Sequence, residues 1–323
     1  MKVLIIAPSK SSFIEKDHHI LSELHDTKLT VSWAIRDILK ACLSVPKFDV
    51  CLFWFASIRF VPIFLMAKLL GKKIFTIAGG YDVSIIPELQ YGGLRKGGLS
   101  PLLRKMLLKY ADKVITVSDS NSMEARENAG IPDTQIKRIY LGFDRPELNL
   151  IPWRERKNQV VFIACCDQTS MKIKGFDTFL ELAKRHPAIS FIHIGRISVM
   201  EFKTETEKLP NVTCLGYVKN LSGEFSNILN QSKVILLPSM IESFGASVIE
   251  GGLHGCIPLV SKNFALPEVV GEKGETCGTI NDYSIAIEKI MKSEVQVTEI
   301  QSYYQKRFKS ELRKESFRQL FNS

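Results

Sequence analysis

Short, unbroken apolar runs alternate with amphipathic stretches along this chain of 323 residues. In the first half, residues 3–7, 50–55, 73–78 and 113–117 are apolar runs of strand length. Helical spacing of apolar positions marks 13–24, 62–70, 101–110 and 120–129. The second half repeats the scheme, with strands predicted at 160–164, 190–194, 212–215, 234–237 and 257–260. Apolar runs without alternation read as buried strands, and their regular exchange with helices predicts parallel sheets covered on both faces. Residues 145–153, polar and bearing two prolines, suit a boundary between the halves. The expected class is α/β, with doubly wound domains over 1–148 and 149–305 and a basic helical tail over 306–323.

One segment carries most of the chemistry. The apolar run 234–237 enters a polar turn containing Gly245, and a helix-like stretch follows. Such a turn directs the free N–H groups of a helix start at its ligand, which favours phosphate. Glu242 lies in the loop before that helix, and Glu250 about a turn and a half inside it. One carboxylate is then placed to face a sugar beside the phosphate, and the other to accept hydrogen bonds from a ribose. Taken alone, two glutamates with this spacing are as readily two solvated charges on a helix.

The frame around the pair continues through Gly255, Pro258, Leu259, Val260 and Ser261 to Pro267, Glu268, Val269 and Val270. Over these residues the sequence resembles the retaining glycosyltransferases of family 4, whose donor site has this E-x7-E pattern, a glycine, a proline-led strand and a P-E-V turn. The resemblance implies the GT-B architecture: two facing Rossmann-like domains across a cleft, the final helix returning to the first. It implies an enzyme moving a sugar from a nucleotide-sugar donor, such as a UDP- or GDP-sugar, to a hydroxyl of a glycan or lipid-linked glycan. The anomeric configuration is retained. The first domain is then the acceptor side and the second holds the donor.

Residue roles follow from the same resemblance. The family places an Arg and a Lys in the loop after the strand at 160–164 to neutralise the diphosphate. Lys174, followed by Gly175, matches the Lys; Gln168 stands near the place of the Arg and offers a neutral amide. Phosphate is expected at the backbone N–H groups near Gly245, Ala246 and Ser247, next to Ser243 and Phe244. Gly216, Tyr217 and Val218 correspond to the turn that stacks against the nucleobase. In the first domain Asp82, after Gly79 and Gly80, is the candidate for facing the sugar. Asp82, Lys174 and Glu242 are thus the catalytic candidates. Plainer readings stay beside these: a turn-forming Asp82, an exposed loop lysine at 174, an ordinary strand exit at 216–218 and a salt-bridged Arg196.

Composition narrows the field further. A hydrophobic content of 45% with mixed charge describes a globular protein. The net charge is +9, and residues 1–150 hold 21 Lys and Arg against 15 Asp and Glu. In 101–110 basic residues interleave an apolar helical pattern. This reads as a core-packed helix with a solvated basic face, or as attraction to an anionic membrane surface or acceptor. No nucleic-acid module is apparent. Seven cysteines lack metal-ligand spacing, which fits free thiols in a reducing cytosol. No G-x-G-x-x-G follows a predicted strand, no P-loop occurs, and no Asp-x-Asp pair is present to hold a metal on a diphosphate. A metal-independent reaction without a cofactor is expected. No signal peptide opens the chain, and the apolar stretch at 60–70 falls short of the ~20 residues a bilayer span needs. The expected location is cytoplasmic, peripheral to the membrane at most. Two other functions fit the same architecture: nucleotide-sugar epimerisation, and donor binding without catalysis.

Overall fold

The computed structural model describes residues 1–31, 34–95, 97–220 and 222–322. The chain divides into two units, one of residues 1–142 with the segment from Ser310 onward, the other Phe143–Lys309.

The first unit is built on six parallel strands: β1 (Lys2–Ala7), β2 (Asp26–Val31), β3 (Val50–Trp54), β4 (Lys73–Ala78), β5 (Lys113–Thr116) and β6 (Ile136–Arg138). Their order is β2-β1-β3-β4-β5-β6. Helices α1 (Ser12–Ser22), α2 (Ile35–Ser44), α3 (Val61–Leu69), α4 (Leu99–Lys109) and α5 (Asp119–Ala129) connect them. Leu4, Ile6 and Phe53 point from the sheet into one core with Ala41 of α2, Phe64 of α3 and Leu107 of α4. Helices α2 to α4 therefore cover the same sheet face. The ends of α5 follow simple chemistry: the Ser118 side chain accepts from Asn121 N–H at the start, and Gly130 takes the left-handed conformation at the end.

The C-terminal helix, Ser310–Asn322, belongs to this first unit. Arg313 in it is 2% exposed and Asp17 on α1 is 1% exposed. The guanidinium grips the Asp17 carboxylate with two bonds of 2.5 and 2.6 Å, and its Nη1 donates to the carbonyls of Ile139 (2.9 Å) and Tyr140 (2.8 Å). Phe321 meets Phe75 of β4 edge-on at 5.0 Å. Residue 323, the last of the expected tail, lies outside the described residues.

The second unit repeats the plan. Its strands are β7 (Lys157–Ile163), β8 (Ser190–Ile194), β9 (Val212–Cys214), β10 (Ser232–Leu237), β11 (Ile257–Ser261) and β12 (Glu275–Cys277). Its helices are α6 (Gln168–Ile173), α7 (Phe176–Arg185), α8 (Met200–Glu207), α9 (Gly223–Asn230), α10 (Ala246–Leu253), α11 (Leu266–Val270), α12 (Ile280–Lys292) and α13 (Val297–Phe308), so that the C-terminal helix is α14. The parallel order is β12-β11-β10-β7-β8-β9. Strand order reverses between β7 and β10. In open α/β sheets that reversal opens a crevice at the carboxyl ends of the strands, where ligands bind.

Strands β2, β6 and β12 and helix α2 are absent from the sequence-based expectation. The three strands lie at sheet edges. Asp26–Val31 and Glu275–Cys277 are only partly covered, and Ile136–Arg138 is mostly exposed, so none carries a long apolar run.

Candidate functional site

The reversal point of the second sheet gathers two loops. The first leaves β7. Cys166 N–H donates to the Arg196 carbonyl (2.7 Å) and Ser198 N–H to the Cys166 carbonyl (2.8 Å), which ties this loop to the exit of β8. Asp167 then caps α6, its Oδ1 accepting from Thr169 N–H (2.9 Å) and Ser170 N–H (2.8 Å). Lys174 ends that short helix. Gly175, at φ +76°, turns the chain into α7; a Cβ there would lie 2.3 Å from the Pro238 carbonyl oxygen. The Lys-Gly pair thus reflects a left-handed turn packed against the second loop, with no room for a side chain after the lysine. Met240 N–H closes the same joint on the Ile173 carbonyl at 2.7 Å.

The second loop runs from β10 to α10. Gly245 has φ +89°, and a Cβ on it would come within 2.9 Å of Leu266 Cδ2. Ala265 N–H donates to the Glu242 carbonyl at 3.2 Å. The P-E-V turn far along the sequence is therefore the brace of this loop. Among the described residues, the amides of Gly245, Ala246 and Ser247 donate to no protein acceptor, and Ala246 and Ser247 are half-buried. They form a helix start free to receive an anion.

Two of the predicted charges meet at this point. Lys174 Nζ lies 2.6 Å from Glu242 Oε2, with 27% and 16% of the side chains exposed. Glu250 lies within α10, buried at 9% exposure, and its Oε1 accepts from Asn220 Nδ2 at 2.6 Å. Asn220 was not among the expected residues; a neutral amide 30 positions from its partner leaves no local pattern. Gln168 is exposed at the first position of α6.

The exit of β9 joins the same end of the sheet. Gly195 N–H donates to the Gly216 carbonyl at 2.8 Å, and a Cβ on Gly195 would sit 2.0 Å from the Ala164 carbonyl oxygen. Tyr217 is exposed, and the Arg196 guanidinium lies over its ring at 5.1 Å. Arg196 is thus stacked on an aromatic face, a cation–π contact.

Two donor-side residues are turned inward. Val218 is buried in the unit's core beside Phe225 and Leu229. Phe244, 4% exposed, packs on Phe143 with ring centroids at 6.3 Å and on Phe308 at 5.7 Å. Only their backbone groups are available to a ligand.

Asp82 requires a correction. Its side chain is 2% exposed. Oδ1 accepts from Gly79 N–H (3.0 Å) and Gly80 N–H (3.1 Å), and Oδ2 from Ala56 N–H (2.9 Å). The carboxylate clamps the exits of β3 and β4 together and does not face a ligand. Burial pushes its pKa up, opposed by these backbone bonds. Beside it the Ser84 hydroxyl is 2.6 Å from Glu124 Oε1 and 2.8 Å from the Gly80 carbonyl. Burial, reinforced by the Asp82 charge, pushes the Glu124 carboxyl up to about 7. Glu124 is 7% exposed, and its burial comes from the tertiary fold.

The family model described as "Glycosyl transferases group 1" matches residues 151–309. The chain is similar to an MMP α-(1→4)-mannosyltransferase of Mycolicibacterium hassiacum, at 26% identity over 180 residues, 54% of this chain and 42% of that protein. It is also similar to an uncharacterized 41.2 kDa protein in the cps region of Klebsiella pneumoniae, at 27% identity over 71% of this chain and 64% of that one. The matched regions span less than two thirds of both relatives. Among solved structures, Anabaena Alr3699/HepE in complex with UDP and glucose superposes with a TM-score of 0.79 at 15% identity over the full length of both chains. The second unit thus matches the group 1 glycosyl transferase family model, and the whole chain has the GT-B fold.

Proposed function

We propose that this chain transfers a sugar, with retention and without a metal, from a nucleotide-sugar donor to a hydroxyl of a glycan or lipid-linked glycan. The observation that carries this reading is the Lys174–Glu242 pair beside the unpaired amides of Gly245–Ser247 at the strand-order reversal. The diphosphate rests on those amides, and the Lys174 ammonium neutralises the charge that develops as the diphosphate departs. Gln168 adds a neutral hydrogen bond to a phosphate oxygen. Glu242 exchanges its bond to Lys174 for a hydroxyl of the donor sugar. Glu250, held by Asn220, accepts from the ribose. The base lies against Tyr217 and the backbone of Gly216 and Val218. The first unit supplies the acceptor side, its loops fixed by Asp82.

Chemically, the acceptor oxygen forms its bond to the anomeric carbon on the face from which the diphosphate oxygen leaves. The acceptor proton passes to that departing oxygen, so no protein nucleophile is required and the configuration is kept. Preorganised cations and amides stabilise the transition state more than the ground state.

The relative that names mannosyl transfer and the fold neighbour holding UDP and glucose together define a donor panel of UDP- and GDP-sugars. Incubating the full chain with this panel and a set of glycan and lipid-linked acceptors, followed by NMR, tests the proposal. The expected result is a glycoside of the donor's anomeric configuration, formed equally in chelator. Isomerised donor in the absence of acceptor would show an epimerase instead. Donor binding with no transfer on any acceptor would indicate a silent binding protein.

A further inference from the structure

The strongest feature outside the donor site is the outward face of α2. Ile35, Leu39 and Leu43 recur every four residues, and so line one stripe of the helix. All three are exposed, Ile35 at 78% and Leu43 at 77%, while Ala41 and Ile38 on the opposite side pack into the core. Arg36 and Lys40, one position on from Ile35 and Leu39, form a basic row along the edge of this stripe. The pattern continues on the neighbouring helices, which cover the same sheet face. Leu65 and Leu69 are exposed on α3, Leu69 at 84%, and Leu99 and Leu102 are exposed on α4.

The charges on this face are predominantly basic. Helices α2, α3 and α4 together contain Arg36, Lys40, Lys68, Arg104, Lys105 and Lys109, and a single acid, Asp37. Asp37 is engaged at the start of α2, where its Oδ2 accepts from Ala34 N–H. Arg104 turns inward to the Ala56 carbonyl, and Lys68 pairs with Asp112 at 3.7 Å; Arg36, Lys40 and Lys109 stay exposed. An aliphatic stripe bordered by cations matches the layering of an anionic bilayer, acyl chains below and phosphates above. Long basic side chains reach the phosphates while the leucines enter the boundary region. A protein partner fits less well, because interface hot spots favour Trp, Tyr and Arg over Leu. Among the described residues no helix is long and apolar enough to cross a membrane, so the helix would lie on the surface.

We propose that the outward face of α2, extended by α3 and α4, docks the first unit on an anionic lipid surface. The inference stands on this face alone and is independent of the transfer reaction, although it places the protein where lipid-linked acceptors lie.

The test is co-sedimentation of the full chain with vesicles of phosphatidylcholine alone and of phosphatidylcholine mixed with phosphatidylglycerol. Binding is expected to the anionic vesicles only, weakening as salt rises. A Leu39→Glu/Leu43→Glu double variant and an Arg36→Glu/Lys40→Glu double variant should each bind about tenfold more weakly or worse. Because all four side chains are on the surface, far-UV circular dichroism should be unchanged. Three outcomes overturn the proposal: no sedimentation with anionic vesicles, equal binding to neutral ones, or variants that bind like the parent. A dimer in solution that Leu39→Glu/Leu43→Glu disperses would assign the face to a second copy of this chain and overturn it equally.

Discussion

Two ion pairs of similar length occupy different settings in the two units. Asp17–Arg313 in the first unit is buried to within 2% on both sides, and the arginine's Nη1 donates to two backbone carbonyls. Lys174–Glu242 in the second unit is partly open and sits at the strand-order reversal beside three amides that, among the described residues, donate to no protein acceptor. A buried pair with four hydrogen bonds committed within the protein has little left to offer a ligand and holds the fold. A half-open pair whose lysine keeps further donors can exchange its partner. Asp82 is closed by three backbone amides, whereas Glu250, also buried, accepts from the side-chain amide of Asn220. In the first unit buried charge organises loops, and in the second the Lys174–Glu242 pair is partly open.

The largest effect should come from breaking the first pair. Arg313→Ala strands a buried carboxylate and two carbonyls, and should lower stability by about 3–5 kcal/mol in a urea titration. A loss below about 1 kcal/mol would place Asp17–Arg313 among exposed pairs, which contribute no more than that. Lys174→Ala should do the reverse. Stability should change by less than about 1 kcal/mol, while kcat on a productive acceptor falls about 10²- to 10³-fold, the scale of losing one stabilising donor in the transition state. An unchanged kcat would show that Lys174 does not stabilise the leaving group.

The buried acids of the first unit also predict a pH effect. Glu124 is raised from 4.5 to about 7 in the folded state, chiefly by burial. Between those values the folded chain holds a proton that the unfolded chain has released, so stability falls as pH rises through this window. Below the window both states are protonated, and above it the loss is complete, at most about 3 kcal/mol by linkage. Glu124→Gln should flatten that slope while keeping an acceptor for Ser84. A slope unchanged in the variant would assign it to another group. The smallest effect concerns Asn220. Asn220→Ala removes the 2.6 Å bond to Glu250 Oε1 and should weaken nucleotide binding by about tenfold, the value of one charge-assisted hydrogen bond, with kcat changed little.

The contrast also explains what could be read from sequence. Central strands such as Val50–Trp54 and Ser232–Leu237 are buried along their length and appear as apolar runs. Edge strands such as Asp26–Val31 are half covered and carry no such run. Helix α2 escaped because apolar residues lie on both its sides: Ile38 and Ala41 toward the core, Ile35, Leu39 and Leu43 toward solvent. At the proposed donor site, Lys174, Glu242 and Glu250 stand out in the sequence because tight local turns at Gly175 and Gly245 impose their spacing. Asn220 reaches Glu250 only through tertiary packing, and the burial that decides the role of Asp82 is a property of the fold. The Gly-Gly-Tyr-Asp sequence left both readings of Asp82 open; three short bonds from backbone amides closed one of them.

Isothermal titration calorimetry with nucleoside diphosphates tests the central assignment most directly. UDP or GDP should bind the parent chain at one site, Glu250→Ala should weaken it at least about tenfold, and Asp82→Asn, which keeps an acceptor for the loop amides, should leave it unchanged. If neither nucleotide binds, or if Asp82→Asn weakens binding while Glu250→Ala does not, the donor site is not at the reversal point of the second sheet.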